Sequence, residues 1–566
     1  MLGTVVRAWV PLKRFLRVRW FSIDHRTLGL FRIGFGLCLL GNLYDHAAGG
    51  NLVTFFSNDG VLSNHLALFA PIQPRPWSLL FAFSGPGEVA VAFAAIAAVY
   101  LLYTLGWKTR LMQILVIVCF VSIVNRNLLL QDGGSFTCTV LAVWTAFLPL
   151  GARFSLDAWQ RRCFASAHRT ANLAAAPFGS PVSPVSPVSH VSIVCFVLLA
   201  QLAAIYGFNA ANKTGQTWHT GTAVHYILWQ LSRNTTLAGF LRLHEPAWFS
   251  PLLTRGTLVF EWTAPLLALS PIFQTVCRRL LIAGMWTLHL GIAALMSLGP
   301  FSYVMLAFSL LLLRPADWDL LNRSSLVRRA NAGAFPFFRR LVTPLPIIAR
   351  RLGVATEGRE VGREGVQVRV WSLPVYGDRL LGARTHWRPV LVSLREAFAL
   401  ILLAAMLAEL TLANVVVPER FRCNNRPAWM AEVLYYLRVY QTWGMFSPDV
   451  PTTDGGIVIA ALLADGTRID PLTGRAPDFD APLHGPYRLD HDWSEYMFYY
   501  PWERHRSFRA GLRDYVVRRH QAQEPAPEKR LQSFEVYFVT ADCPPPGELQ
   551  PRNLKRELMI SYVADP

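Results

Sequence analysis

Apolar runs recur along most of this chain, and they restrict its fold more than any other feature. They read near residues 28–43, 88–105, 111–129, 135–150, 190–206, 253–272, 280–298, 302–313 and 391–417. A hydrocarbon core of about 30 Å takes about 20 helical residues at 1.5 Å each, and no water inside it satisfies a backbone amide. The runs therefore predict an all-α polytopic membrane bundle of about nine spans. The first run carries Arg32 and lacks a small-residue cleavage site, so it reads as an uncleaved span and not as a signal peptide.

Composition agrees: 53% of the 566 residues are hydrophobic, 16% are charged and the mean hydropathy is +0.31, too apolar for an ordinary soluble protein. The net charge of +18 invites a nucleic-acid reading, but no nucleic-acid motif accompanies it and the arginines sit beside apolar runs. They fit a topogenic role better. A basic amphipathic segment covers 1–27. Further basic loops carry Lys108 and Arg110, then Arg153, Arg161, Arg162 and Arg169, then Arg278 and Arg279, and finally the stretch 316–388. With the amino terminus cytoplasmic, all of them fall on one side. An odd span count then leaves the region after the last helix, 389–417, outside. The bilayer is the first expected partner, and nucleic acid is not one.

Hydropathy changes at Pro418. Gly456 to Gly474 reads as strand, Asp465-Gly466 turn, strand, and Ser533 to Thr540 alternates as a strand. A β-rich extracytoplasmic domain is therefore expected over 418–566. Of the cysteines, only Cys423 and Cys543 share a hydrophilic region, so they are the expected disulfide. Trp443-Gly-Met-Phe446-Ser-Pro448 reads as an aromatic interface anchor. Ala174 to His190, with its Ser-Pro-Val repeat, reads as a linker.

Chemistry concentrates in Gly207 to Tyr226, where an apolar run ends at Lys213 and the chain turns polar and aromatic. A desolvated lysine can lose its proton and act as a base; a snorkelling lysine keeps its ammonium in water and anchors the helix. Both readings are open on residue type alone. Glu261, inside an apolar run, is either a site residue or a structural hydrogen-bonding group. Asn125-Arg126-Asn127 precedes Asp132, so an Arg126–Asp132 pair holding helices together competes with a place at the mouth of a site. His219, His225 and His244 have no zinc-signature spacing, and no metal site is expected.

Two stretches carry a resemblance: Asn212-Lys213-x4-Trp218-x2-Gly221, and His289 to Leu306 with its Ser302-Tyr303-Val304-Met305-Leu306 run. They resemble the membrane core of vitamin K-dependent gamma-glutamyl carboxylase and its bacterial relatives, the horizontally transferred transmembrane (HTTM) family. Asn58-Asp59-Gly60-Val61-Leu62, Phe154-Ser155-Leu156-Asp157 and Phe260-Glu261 with Pro265 add to it, so the likeness covers about residues 20–315. It implies a 28–315 core in which Lys213 deprotonates a reduced quinone and His289 holds the quinone oxygen. Trp218 and Tyr303 would join Glu261, Asn125 and Arg126 on the quinone- or substrate-binding side. The implied co-substrates are reduced vitamin K or another quinol, O2 and CO2, and the implied acceptor is a glutamate of a peptide or protein at the outer face. Gly133-Gly134 stands where the carboxylase has a functionally important histidine, which weakens the carboxylation expectation. The alternative is a non-catalytic quinone- or lipid-binding scaffold whose outer domain recruits a partner protein. A secondary transporter ranks behind both, because no inverted repeat is evident.

Overall fold

Helix α1 (His25–Ala47) begins where the Asp24 carboxylate takes the Arg26 amide at 2.7 Å, satisfying one of the donors left open at any helix start. Just ahead of it, β1 (Ser22–Asp24) pairs antiparallel with β2 (Ser189–Val191). Helix α2 (Pro86–Leu105) starts on a proline, and Glu88 accepts the Ser84 and Gly85 amides at 2.8 and 3.2 Å. It stops at Gly106, whose φ of 71° suits glycine. Helix α3 (Thr109–Arg126) is capped by Asp157, which accepts the amides of Lys108 and Thr109 at 2.8 Å each. Asp132 caps α4 (Gly133–Thr145) through the Ser135 amide at 2.9 Å, and Ser192 caps α5 (Ile193–Asn212). After the short α6 (Gln216–Thr220) come α7 (Phe249–Leu269), α8 (Gln274–Leu295) and α9 (Phe301–Leu310).

The computed structural model describes residues 19–69, 76–163, 189–323, 356–361, 367–372, 381–480 and 490–564. Most of segment 1–27 and of the linker 174–190 lies outside them. The chain divides into two units, Met1–Leu312 with Ile401–Pro566, and Leu313–Leu400. The second unit, which spans the expected basic loop and the start of the expected last span, holds helix Pro315–Arg323, an antiparallel hairpin of β3 (Thr356–Val361) and β4 (Gln367–Ser372), and the first part of α10 (Leu381–Ala413).

Six helices among the described residues are long and apolar enough to cross a membrane: His25–Phe56, Pro86–Leu105, Thr109–Arg126, Ile193–Asn212, Gln274–Leu295 and Pro389–Ala413. The protein is thus a mostly helical protein with several membrane-crossing candidates. The remaining expected spans fall on shorter or more polar helices. Helices α4 and α9 have 13 and 10 residues, and α7 carries Arg255 and Glu261. Arg32, awkward inside a span, is buried with its guanidinium on the carbonyls of Leu150, at 3.0 Å, and Phe154.

Beyond α10 come α11 (Ala428–Tyr436), β5 (Thr453–Leu463), β6 (Arg468–Ile469), α12 (His491–Tyr499), α13 (Arg509–Gln521), β7 (Leu531–Asp542) and β8 (Arg552–Val563). The strands form one antiparallel sheet in the order β6-β5-β7-β8. The expected Asp465-Gly466 turn joins β5 to β6, with Gly466 at φ 81°. The chain thus carries a separate β-sheet region near its C-terminus, grouped in one compact unit with the helices of Met1–Leu312. Helix α12 docks through His46–Asp492 at 2.8 Å, Asn51–Asp490 at 2.9 Å and Arg233–Glu495 at 2.7 Å. From α13, Arg518 donates to the Gly60 carbonyl at 2.8 Å.

The expected Cys423–Cys543 disulfide is not formed. Cys423 is exposed, while Cys543 is buried with its sulfur near the Trp229 carbonyl and Gln230. Sharing a hydrophilic stretch did not make the two neighbours in space.

Candidate functional site

Helix α5 presents Tyr206 and Asn209 one turn apart, and Lys213 follows one turn later as the residue that ends the helix. Helix α7 packs along α5 and supplies Phe260 and Glu261. Lys213 Nζ lies 2.6 Å from each oxygen of the Glu261 carboxylate. Asn209 Nδ2 donates to the same carboxylate at 2.6 Å. The ammonium also sits 4.6 Å from the Trp218 ring centre, a cation–π contact. Lys213 is 6% and Glu261 3% exposed, so the snorkelling-anchor reading of Lys213 is overturned: its charge meets a carboxylate and a ring instead of water. Burial pushes the Lys213 amine below its usual range, against the pull of Glu261.

One turn before Asn209, the Tyr206 hydroxyl is hydrogen-bonded to His289 Nε2 at 2.8 Å. His289 comes from the buried face of α8, which also carries Gln274, Arg278, Leu281 and Met285. Its other ring nitrogen, Nδ1, is buried and has no hydrogen-bond partner. The rings of Phe301 and His289 meet edge to face at 5.3 Å. Lys213, Glu261, Trp218 and His289, singled out from the sequence, thus fall on packed helices, with Tyr206 and Asn209 as links.

A strap over residues 441–450 roofs this cluster. Asn212 donates to the Trp443 carbonyl and Trp218 Nε1 to the Phe446 carbonyl, both at 2.8 Å. The Met445 amide donates to Asn209 Oδ1 at 2.8 Å, so one asparagine ties the strap to the Glu261 carboxylate. Asp449 accepts the Gln216 amide at 3.1 Å and the Thr217 amide and hydroxyl at 2.7 Å each. Trp443 is therefore not an interface anchor: it is buried, with its ring nitrogen on Gln441 at 3.0 Å.

Asp132 does not pair with Arg126. It takes the Ser135 hydroxyl at 2.5 Å and faces His491 Nε2 across 3.7 Å, an ion-pair distance. A Cβ on Gly134 would come within 2.7 Å of the Phe301 Cα, so no larger side chain fits there. The imidazole that meets the start of α4 comes from α12, more than 350 residues later in the chain. Burial opposes charge on His491, but Asp132 outweighs it and raises the ring to about 9.

Two expected site residues lie elsewhere and one does not face the cluster. Tyr303 is 57% exposed, whereas its neighbours Ser302, Val304 and Met305 point inward. Asn125 donates to the Trp77 carbonyl at 2.8 Å and accepts from Arg438. Arg126 donates to the Leu62 carbonyl at 3.0 Å. Tyr206 and Asn209 were legible in principle as polar residues at helical spacing in an apolar run. The strap and His491 carried no local signal, because their partners lie hundreds of residues away.

A buried lysine–carboxylate pair can hold its proton on either partner, since moving the proton removes two charges from a dry site. The arrangement can therefore take a proton from a bound hydroxyl, while the free His289 nitrogen can bond a ligand oxygen. No known protein family, curated protein or solved structure matches the chain.

Proposed function

We propose that the protein is an integral membrane enzyme similar to vitamin K-dependent gamma-carboxylase, oxidising a reduced quinone to drive removal of a proton from an acceptor. The observation that carries this reading is the buried Lys213–Glu261 pair, built on the same helix, α5, as the Tyr206–His289 pair and its unsatisfied Nδ1. Vitamin K hydroquinone or another quinol would supply four electrons to O2, two in becoming the quinone and two in taking up an oxygen atom, leaving one oxygen in the quinone epoxide and the other in water. Lys213 would accept the quinol proton, Glu261 would hold the amine in place and share its charge, and His289 would bond the quinol oxygen through Nδ1. Trp218 and the strap keep water from the amine. Addition of CO2 to a glutamate of a peptide at the outer face would be the coupled step. On this reading α4, α7 and α9 complete about nine spans in a bacterial inner membrane, with the amino terminus cytoplasmic and residues 418–566 outside.

A second reading, a non-catalytic quinone- or lipid-binding scaffold, draws on Gly134, where backbone contact excludes the histidine of the carboxylase pattern. It also draws on Lys213 being fully engaged by Glu261. Epoxide formation separates the two. Purified protein in detergent receives vitamin K hydroquinone or menaquinol with O2, alongside Lys213→Ala and His289→Ala. The enzyme reading expects epoxide from the native chain and none from either folded variant. If both quinols return unchanged from the native chain, the scaffold reading replaces it. Labelled CO2 incorporation into glutamyl peptides then tests the coupled step.

A further inference from the structure

Arg126 and Arg438 are 0% and 2% exposed, and no described carboxylate pairs with either. Arg126 spends one nitrogen on the Leu62 carbonyl and leaves Nε and Nη1 without a hydrogen-bond partner, its guanidinium lying over the Phe81 ring at 5.6 Å. Arg438 donates Nε to Asn125 Oδ1 and Nη1 to the Tyr440 hydroxyl at 2.9 Å, leaving Nη2 buried and unsatisfied. A buried guanidinium without a counter-charge is costly, and its open N–H groups add to that cost. The backbone at Arg438 adopts φ +54°, a left-handed conformation that non-glycine residues rarely take and that gathers at binding sites.

An apolar pocket of about 480 Å³ adjoins this residue. Its lining includes Trp77, Ile117, Val118, Val121, Tyr436 and Leu437. Leu437 precedes Arg438 in sequence, and Asn125, one turn beyond Val121 on α3, hydrogen-bonds both the Trp77 carbonyl and Arg438. The cation thus stands behind the pocket wall, next to the lining residue Leu437 and joined to Trp77 by two hydrogen bonds through Asn125. The volume lies within the range of small-molecule sites, about 300–1,000 Å³.

We propose that this pocket binds an amphipathic anion, with its hydrocarbon chain against α3 and Trp77 and its carboxylate or phosphate on the open N–H groups beside Asn125. A lipophilic carboxylic acid and an anionic phospholipid share that chemistry. The inference does not depend on quinone oxidation, because none of its residues touches Lys213 or His289.

Native mass spectrometry of the full chain in neutral detergent tests it, with oleate, phosphatidylglycerol and phosphatidylcholine of matched chains as probes. At least one anionic probe should bind about tenfold or more tighter than phosphatidylcholine, the worth of one charge-assisted hydrogen bond. Oleate binding alone identifies a free carboxylic acid as the ligand type, and phosphatidylglycerol binding alone identifies a membrane lipid. Arg438→Gln should erase the anion preference while chain binding persists. Val118→Trp, which fills the pocket and leaves both arginines in place, should lower retention of every probe about tenfold or more. Equal retention of phosphatidylcholine and both anions overturns the proposal. So does an anion preference unchanged in Arg438→Gln or, if that variant does not fold, anion retention unchanged in Val118→Trp.

Discussion

Replacing Glu261 with glutamine tests the buried pair most directly, because the new side chain keeps the shape and an oxygen for Asn209 while removing the negative charge opposite Lys213. The amine must then either stay charged without a partner or give up its proton. Holding a lysine with an ordinary pKa of about 10.4 neutral at pH 7 costs about 3.4 × 1.36, or about 4.6 kcal/mol. That lies within the range of about 3–5 kcal/mol for removing one partner of a buried pair. The deficit should also depend on pH. A folded-state pKa held below the unfolded value means that the unfolded chain binds more protons, so stability rises with pH, by about 1.4 kcal/mol per unit between about 7 and 10. The cost of the neutral amine in Glu261→Gln should therefore fall to about 1.9 kcal/mol at pH 9. Lys213→Met should cost about 3–5 kcal/mol at pH 7, and the double variant less than the sum of the two, since it buries no unpaired charge. Unfolding in mixed detergent–dodecyl sulfate micelles at several pH values measures all of this. A deficit below about 1 kcal/mol, a deficit that does not change with pH, or additive single effects would refute a desolvated, mutually dependent pair.

Three further outcomes follow from the geometry. His491, raised to about 9 by Asp132, contributes stability that is complete below its unfolded value of about 6.5 and is lost as pH rises through about 9. The protection factors of the α12 amides, in which the base-catalysed rise of intrinsic exchange is divided out, should therefore fall between pH 6.5 and 9.5, and Asp132→Asn should remove most of that fall; equal protection factors at both pH values would reject the pair. Gly134→Ala should destabilise by about 1–3 kcal/mol through contact with the Phe301 backbone, outweighing a helix-propensity gain of about 1 kcal/mol. A higher melting midpoint for that variant would mean that α4 and α9 are not so close. In a Cys163→Ser background, maleimide should label Cys423 in the folded protein and Cys543 only after denaturation, since burial also pushes the Cys543 thiol up to about 12; protection of Cys423 until a reductant is added would restore the disulfide.

Hydrophobic periodicity and caps are local, so the long helices and the Asp465-Gly466 hairpin were legible from the sequence. Glu261 could be singled out for the same reason, since a carboxylate in an apolar run is anomalous wherever it packs. Its partner could not be derived that way, because the Lys213–Glu261 contact depends on how α7 lies along α5. Cys423 and Cys543 misled because sharing a hydrophilic stretch carries no distance information, and Cys543 is buried beside Trp229 and Gln230 while Cys423 is exposed. The same limit explains the strap: Trp443-Gly-Met-Phe446 has the composition of an interface anchor, and only its bonds to Asn209, Asn212 and Trp218 distinguish a roof from an anchor. Asn209 joins both cases, with its carbonyl on the strap and its amide on Glu261. A shift of the strap must therefore change the hydrogen bonding of the carboxylate that holds Lys213, which makes residues 441–450 part of the site's electrostatics as well as its cover.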